Sequence, residues 1–168
     1  MKILNISTIS LMALVTSCFI QIGAQLFAIT IIASTLAEAP PQSFAMLQGE
    51  YGYNSTAFWD IVPAITFVLF IIALIFNWKT KRRKYILLAL TLFVIAGLLA
   101  GIYLEPIFAE MIAEGYSDEV NLLLKNKAAK WYAADWMVWV VGSMSGILLL
   151  LALVIPNNSL KNTPNASS

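Results

Sequence analysis

Four long apolar runs constrain this chain more than any other feature. They cover about residues 9–37, 58–78, 85–104 and 136–155, and none carries a charge in its middle. Each is close to the ~20 residues a helix needs to cross ~30 Å of hydrocarbon. A backbone in lipid must satisfy its own hydrogen bonds, so the runs predict helices rather than open strands. Composition agrees: of 168 residues, 60% are hydrophobic and 11% charged, against roughly 45–50% and ~25% in ordinary soluble domains. A mean hydropathy of +0.82 leaves more apolar surface than a chain of this size can bury within itself. The expected fold is all-α: an antiparallel four-helix transmembrane bundle over 1–156, with an ordered extracytoplasmic cap. The polar segment 157–168 is expected to be disordered.

The first run also resembles a signal peptide, with Lys2 before it and Ala37-Glu38-Ala39 at its end. It is longer than the ~7–15 residues of a signal core, and Pro40 would follow the cut, so a retained first helix is expected. Charge then sets orientation. One side of a four-span layout holds Lys2, Lys79, Lys81, Arg82, Arg83, Lys84 and Lys161, with no acid. The other holds Lys125, Lys127 and Lys130 with all nine acids. That bias predicts cytoplasmic N- and C-termini, as in a bacterial inner membrane, with the loop from Lys79 to Lys84 as topology anchor.

Several chemistries are excluded. The chain has no histidine, which removes His-based metal sites and Ser-His or Cys-His nucleophile pairs. A single cysteine, Cys18, permits neither an internal disulfide nor a CxxC motif. A net charge of +1 offers no basic surface to nucleic acid. The expected partner is the lipid bilayer, and the sequence calls for no cofactor or metal.

The two outer segments differ. Residues 40–57 are rich in Pro, Gly, Asn and aromatics, which predicts an ordered loop with one short helical turn. In the second, Pro106 is expected to kink or end the third helix, and 107–114 to form a short helix stopped by Gly115. Ser117 is a candidate N-cap, with Asp118 and Glu119 in a first turn. One long helix would then run into the fourth span.

Four constellations bear on function. Gly97 with Gly101, and Gly142 with Gly146, are small-xxx-small pairs that let helices approach closely, within the bundle or in a homodimer. Gln21 and Gln25 share one face of the first helix, with Ser17 a turn earlier; they either bond across helices or line a small-molecule pocket. Glu38, Asp60, Glu105 and Asp135 stand near the outer ends of four different helices and can converge, or simply mark a hydrated interface with Lys127 or Lys130 as ion-pair partner. Asp60 and Asp135 are expected to be the more buried, being flanked by Trp59, Trp131 and Trp136. Those tryptophans and Tyr103 belong to an excess of aromatic residues at the outer level, which predicts either an interfacial belt or a lid over a cavity.

The segment Tyr51 to Trp59 has the form Tyr-Gly-x-Asn-Ser-x-x-Phe-Trp, and Pro106-Ile107 follows the third span. With Trp131 at the approach to the fourth, the chain resembles the anthrone oxygenase-like family of small four-helix membrane proteins. Phe108, Asp135 and Val138 stand where the family commonly has Asn, His and Arg. The resemblance implies a four-helix fold, and fungal members are linked to cofactor-independent oxidation of anthrones to anthraquinones.

Three functions compete on these grounds. The first is binding or oxidation of a hydrophobic aromatic or quinone-like molecule within the bundle, near Gln21, Gln25 and the outer aromatics. The second is an accessory subunit packed on a larger membrane protein through the glycine faces. The third is a small transporter or ion-conducting oligomer that uses the outer carboxylates.

Overall fold

Four helices long and apolar enough to cross a membrane make up most of the protein. They are seen in a computed structural model that describes residues 5–156. They are α1 (Ile6–Glu38), α2 (Thr56–Asn77), α3 (Arg83–Ala113) and α4 (Leu122–Val154), and they match the four predicted runs, two of which end one residue past the helix. Lys2, Lys161 and the polar segment 157–168 lie outside the described residues. The short connection between α2 and α3 marks a basic end of the bundle. The acids gather towards the other, acidic end.

Two predicted boundaries are corrected. Of the two outcomes expected at Pro106, a kink or an end of α3, the end does not occur. Its missing N–H and its ring strain an ordinary helix at the preceding turn. Here a π-helical stretch, Ala100–Leu104, stands immediately before it, and helix resumes from Glu105 to Ala113. Gly115, with φ of +73°, then reverses the chain, a conformation that a side chain would oppose. The cap of α4 is Asn121 rather than Ser117. The Asn121 Oδ1 accepts from the N–H groups of Leu123 (2.9 Å) and Leu124 (3.2 Å), while Ser117 only takes the Glu119 N–H in a local turn. Both residue types cap helices well; Asn121 directly precedes the apolar helix.

The predicted loop at 40–57 is ordered and holds a 3₁₀ turn, Gln42–Leu47. It is tied at both sides. The Asn121 N–H donates to the Pro40 carbonyl (3.0 Å), and Ser43 Oγ donates to the Leu36 carbonyl at the end of α1 (2.7 Å). Gly52 sits so close to the backbone at Leu47 that an added Cβ would lie 2.5 Å from its carbonyl oxygen. Asn54 Oδ1 accepts from the Thr56 N–H (2.9 Å) and starts α2.

The core divides into two halves. Towards the basic end all four helices contribute, with Leu11 and Leu14 of α1, Phe70 and Ala73 of α2, Ile86 and Ala89 of α3, and Leu149 and Ala152 of α4. Towards the acidic end the buried cluster comes from α1, the 3₁₀ turn, α3 and α4. No α2 residue belongs to it.

The basic end is locked by polar side chains. Asn77 is fully buried, and its Nδ2 donates to the carbonyls of Ser7 (3.0 Å) and Ala73 (2.9 Å). Arg82, in the loop read as a topology anchor, is only 5% exposed. Its Nε donates to the Ile155 carbonyl (2.8 Å), Nη1 to Thr8 Oγ1 (2.9 Å) and Nη2 to the Leu153 carbonyl (3.4 Å). The guanidinium thus caps the C-terminus of α4, where carbonyls lack helical partners and the helix dipole is negative. Burial lowers its pKa from the ordinary arginine value, yet the group stays charged at any physiological pH. Arg82→Gln is expected to cost about 1–3 kcal/mol, read as a lower midpoint in denaturation of the detergent-solubilised protein. Lys81→Ala, at an exposed neighbour, is the control; equal effects of the two would contradict the capping role.

Candidate functional site

Where α2 leaves the core, a cavity of about 420 Å³ opens in the acidic half of the bundle. Three helices build its walls with residues three or four apart. From α1 come Cys18, Gln21, Gln25, Ala28 and Ile32; from α4, Trp131, Asp135, Val138, Gly142 and Ser145. From α3 come Phe93, Gly97, Ala100, Leu104 and Phe108. That spacing keeps each set on one helix face. α2 adds only Trp59 and Pro63, and the cap loop adds Leu47, Tyr53 and Ser55.

The glycines explain the space. A methyl added at Gly97, Gly101 or Gly142 would meet nothing within 4 Å, and all three line the cavity. Close helix packing, one of the readings of these pairs, holds only at Gly146. There an added Cβ would lie 2.6 Å from Ile22 Cδ1 of α1. The π-helical stretches of α1 (Ala28–Ala33) and α3 (Ala100–Leu104) both contribute wall residues. Widened turns of this kind recur at functional sites.

The two glutamines bond across helices and line the cavity at once. Gln21 Nε2 donates to Thr66 Oγ1 of α2. Thr66 gives its own proton to the Val62 carbonyl (2.9 Å), so Ser17 Oγ, 2.6 Å away, donates to it as well. Gln25 Nε2 donates to Asp135 Oδ1 (3.1 Å). Gln25 lies 13 residues from the end of α1 at Glu38, and Asp135 lies 13 from the start of α4 at Leu122. Both are therefore about 20 Å along their helices from the acidic end, so Asp135 stands within α4 rather than at its end.

Trp131, 8% exposed, stacks on Phe108 with ring centres 5.2 Å apart. Its Nε1 is buried with no hydrogen-bond partner. A buried N–H left unpaired is costly, and this one belongs to a cavity-lining side chain.

The remaining candidates separate. Glu105 lines the cavity, whereas Asp60, Tyr103 and Trp136 do not. Asp60 is exposed, contrary to expectation; its aromatic neighbours Phe58 and Trp59 pack edge to face with each other instead. Tyr103 is 50% exposed. Trp136 sits in an edge-to-face ladder with Tyr132 and Trp139, and Trp139 Nε1 donates to the Ile22 carbonyl (3.1 Å). The four outer carboxylates do not converge: among the described residues no three or more Asp, Glu or Cys side chains are placed to hold a metal ion. Glu38 is exposed, and Lys127 pairs with Glu110. Thr66 and Phe93 escaped sequence reasoning, and Phe108 entered it only as a departure from the family pattern, although the helix-face spacing from Asp135 and Gly97 marks the α3 and α4 walls.

Thr66→Val removes the acceptor shared by Ser17 and Gln21 while keeping the volume. A loss of about 1 kcal/mol is expected, and Gln21→Leu combined with it should cost less than the two single changes summed. Unfolding titrations of the three variants in mixed detergent check this; strict additivity would contradict the contact.

The chain matches no protein-family model, and neither a curated protein nor a solved structure matches it.

Proposed function

We propose that the chain is an integral membrane protein that holds a hydrophobic aromatic or quinone-like molecule in the cavity between α1, α3 and α4. One observation carries the reading: a cavity of about 420 Å³ has mainly apolar and aromatic walls and a few polar side chains among them. Small-molecule sites have this character, at volumes of ≈ 300–1,000 Å³. Trp59 and Trp131 offer flat apolar surface to an aromatic ring. The helices carry the site in lipid, because large side chains such as Ile75, Ile102 and Val154 are 66%, 73% and 83% exposed. The five basic residues and no acid between Lys79 and Lys84 support a reading with both termini on the cytoplasmic side, as in a bacterial inner membrane.

The likeness to the anthrone oxygenase-like family supports the same reading. In the Tyr51–Trp59 segment, Gly52 and Asn54 shape the cap and the start of α2, while Tyr53, Ser55 and Trp59 line the cavity. Oxidation stays outside the proposal, because Phe108, Asp135 and Val138 replace the polar Asn, His and Arg of the family pattern.

The test uses 2-methyl-1,4-naphthoquinone with the protein in lipid nanodiscs. Saturable quenching of tryptophan fluorescence and a raised unfolding midpoint are expected. Gly101→Leu adds a side chain to the cavity wall, at a position where a Cβ meets nothing within 4 Å, and should abolish saturation. Quenching that rises linearly with quinone, alike in both proteins, would show partition into lipid and overturn the proposal.

A further inference from the structure

We infer that the molecule held in the cavity is a lipophilic cation, a flat aromatic ring system carrying a positive charge beside Asp135. This rests on the ligand-binding reading above and specifies the class of ligand.

The charges of the cavity are one-sided. Asp135 and Glu105 line it, and no lysine or arginine does. Among the described residues the ion pair is Lys127 with Glu110, so Asp135 has no cationic side chain as partner. Its hydrogen bond comes from the neutral Gln25 amide, to one oxygen. A carboxylate held among apolar walls is unfavourable unless a positive charge compensates it, and in membrane proteins such a group marks a binding or transport path. Asp135 also stands well along α4 rather than at the hydrated helix end.

The walls suit the same ligand. Trp59, Trp131, Tyr53, Phe93 and Phe108 line the cavity, and aromatic faces attract cations through their negative quadrupole, most strongly when water is excluded. Apolar surface for the ring and a carboxylate for the charge together recognise a lipophilic cation better than a neutral molecule or an anion. Gln25, by donating to Asp135, orients the carboxylate.

Three probes of one size separate the contributions: 1-methylquinolinium, its uncharged counterpart 1-methylnaphthalene, and the anion 1-naphthoate. Affinities are read from the shift in unfolding midpoint in nanodiscs of zwitterionic lipid, with ligand titrated to saturation. On the unaltered chain the quinolinium should bind at least tenfold more tightly than methylnaphthalene, and naphthoate should be the weakest. Asp135→Asn should erase the preference for the cation. Asp60→Asn, at an exposed carboxylate outside the cavity, should keep it. Equal affinity for quinolinium and methylnaphthalene in the unaltered chain would overturn the inference, and so would a preference that survives Asp135→Asn. The comparison on the unaltered chain stands even where a variant fails to fold. Saturable binding of the naphthoquinone without cation preference defeats this inference alone. Saturable binding of none of the probes defeats the ligand-binding reading beneath it.

Discussion

The structure depends on the small number of places where one helix offers another a polar group. Large apolar side chains face outward along all four helices, so burial of apolar surface between them is limited. In lipid such surface gives no advantage to helix–helix contact over helix–lipid contact, and packing with cross-helix hydrogen bonds decides the arrangement. Asn77 and Arg82 fasten α1, α2 and the end of α4 at the basic end. Ser17, Gln21 and Thr66 tie α1 to α2 near mid-length. Gln25 with Asp135, and Trp139 with Ile22, tie α1 to α4.

The cavity follows from where those ties stop. Beyond Thr66, α2 makes no contribution to the buried cluster of the acidic half. Pro63 lies inside α2 on the cavity side, where its missing N–H weakens the helix ladder. On the opposite walls Gly97, Gly101 and Gly142 supply no side chain to fill the space. The cap loop covers the end, fixed by the bond from Asn121 to Pro40 and by the close turn at Gly52. A four-helix bundle tight at one end and hollow at the other results.

The helices were readable from sequence because hydropathy over ~20 residues is a strong signal. Their ends were harder. Ser117 and Asn121 are both capping types four residues apart, and only the backbone chooses between them. At Pro106 the sequence left a kink and an end of α3 both open, since nothing in it indicates a π-helical turn that accommodates a proline. The site was half legible. Gln21 and Gln25 stand out as polar groups in an apolar run, and both meet partners across the bundle. Asp60 and Asp135 looked alike by their aromatic neighbours, but helix phase separates them: Asp135 shares a face with Trp131, Val138 and Gly142, whereas Asp60 is exposed. The glycine pairs matched a packing motif, yet three of the four glycines open a space instead of closing one. Arg82 was hidden among the basic residues of its loop, because capping of α4 depends on a helix end 73 residues away.

The central claim is that the hollow half of the bundle is a ligand site rather than a packing defect. The most direct measurement is an experimental density map of the protein taken up from its native membrane without detergent exchange. The account predicts flat, non-protein density beside Asp135, against the rings of Trp59 and Trp131. Collapse of α2 onto α3, with Trp59 packed against Gly97 and Gly101 and no space between them, would contradict it.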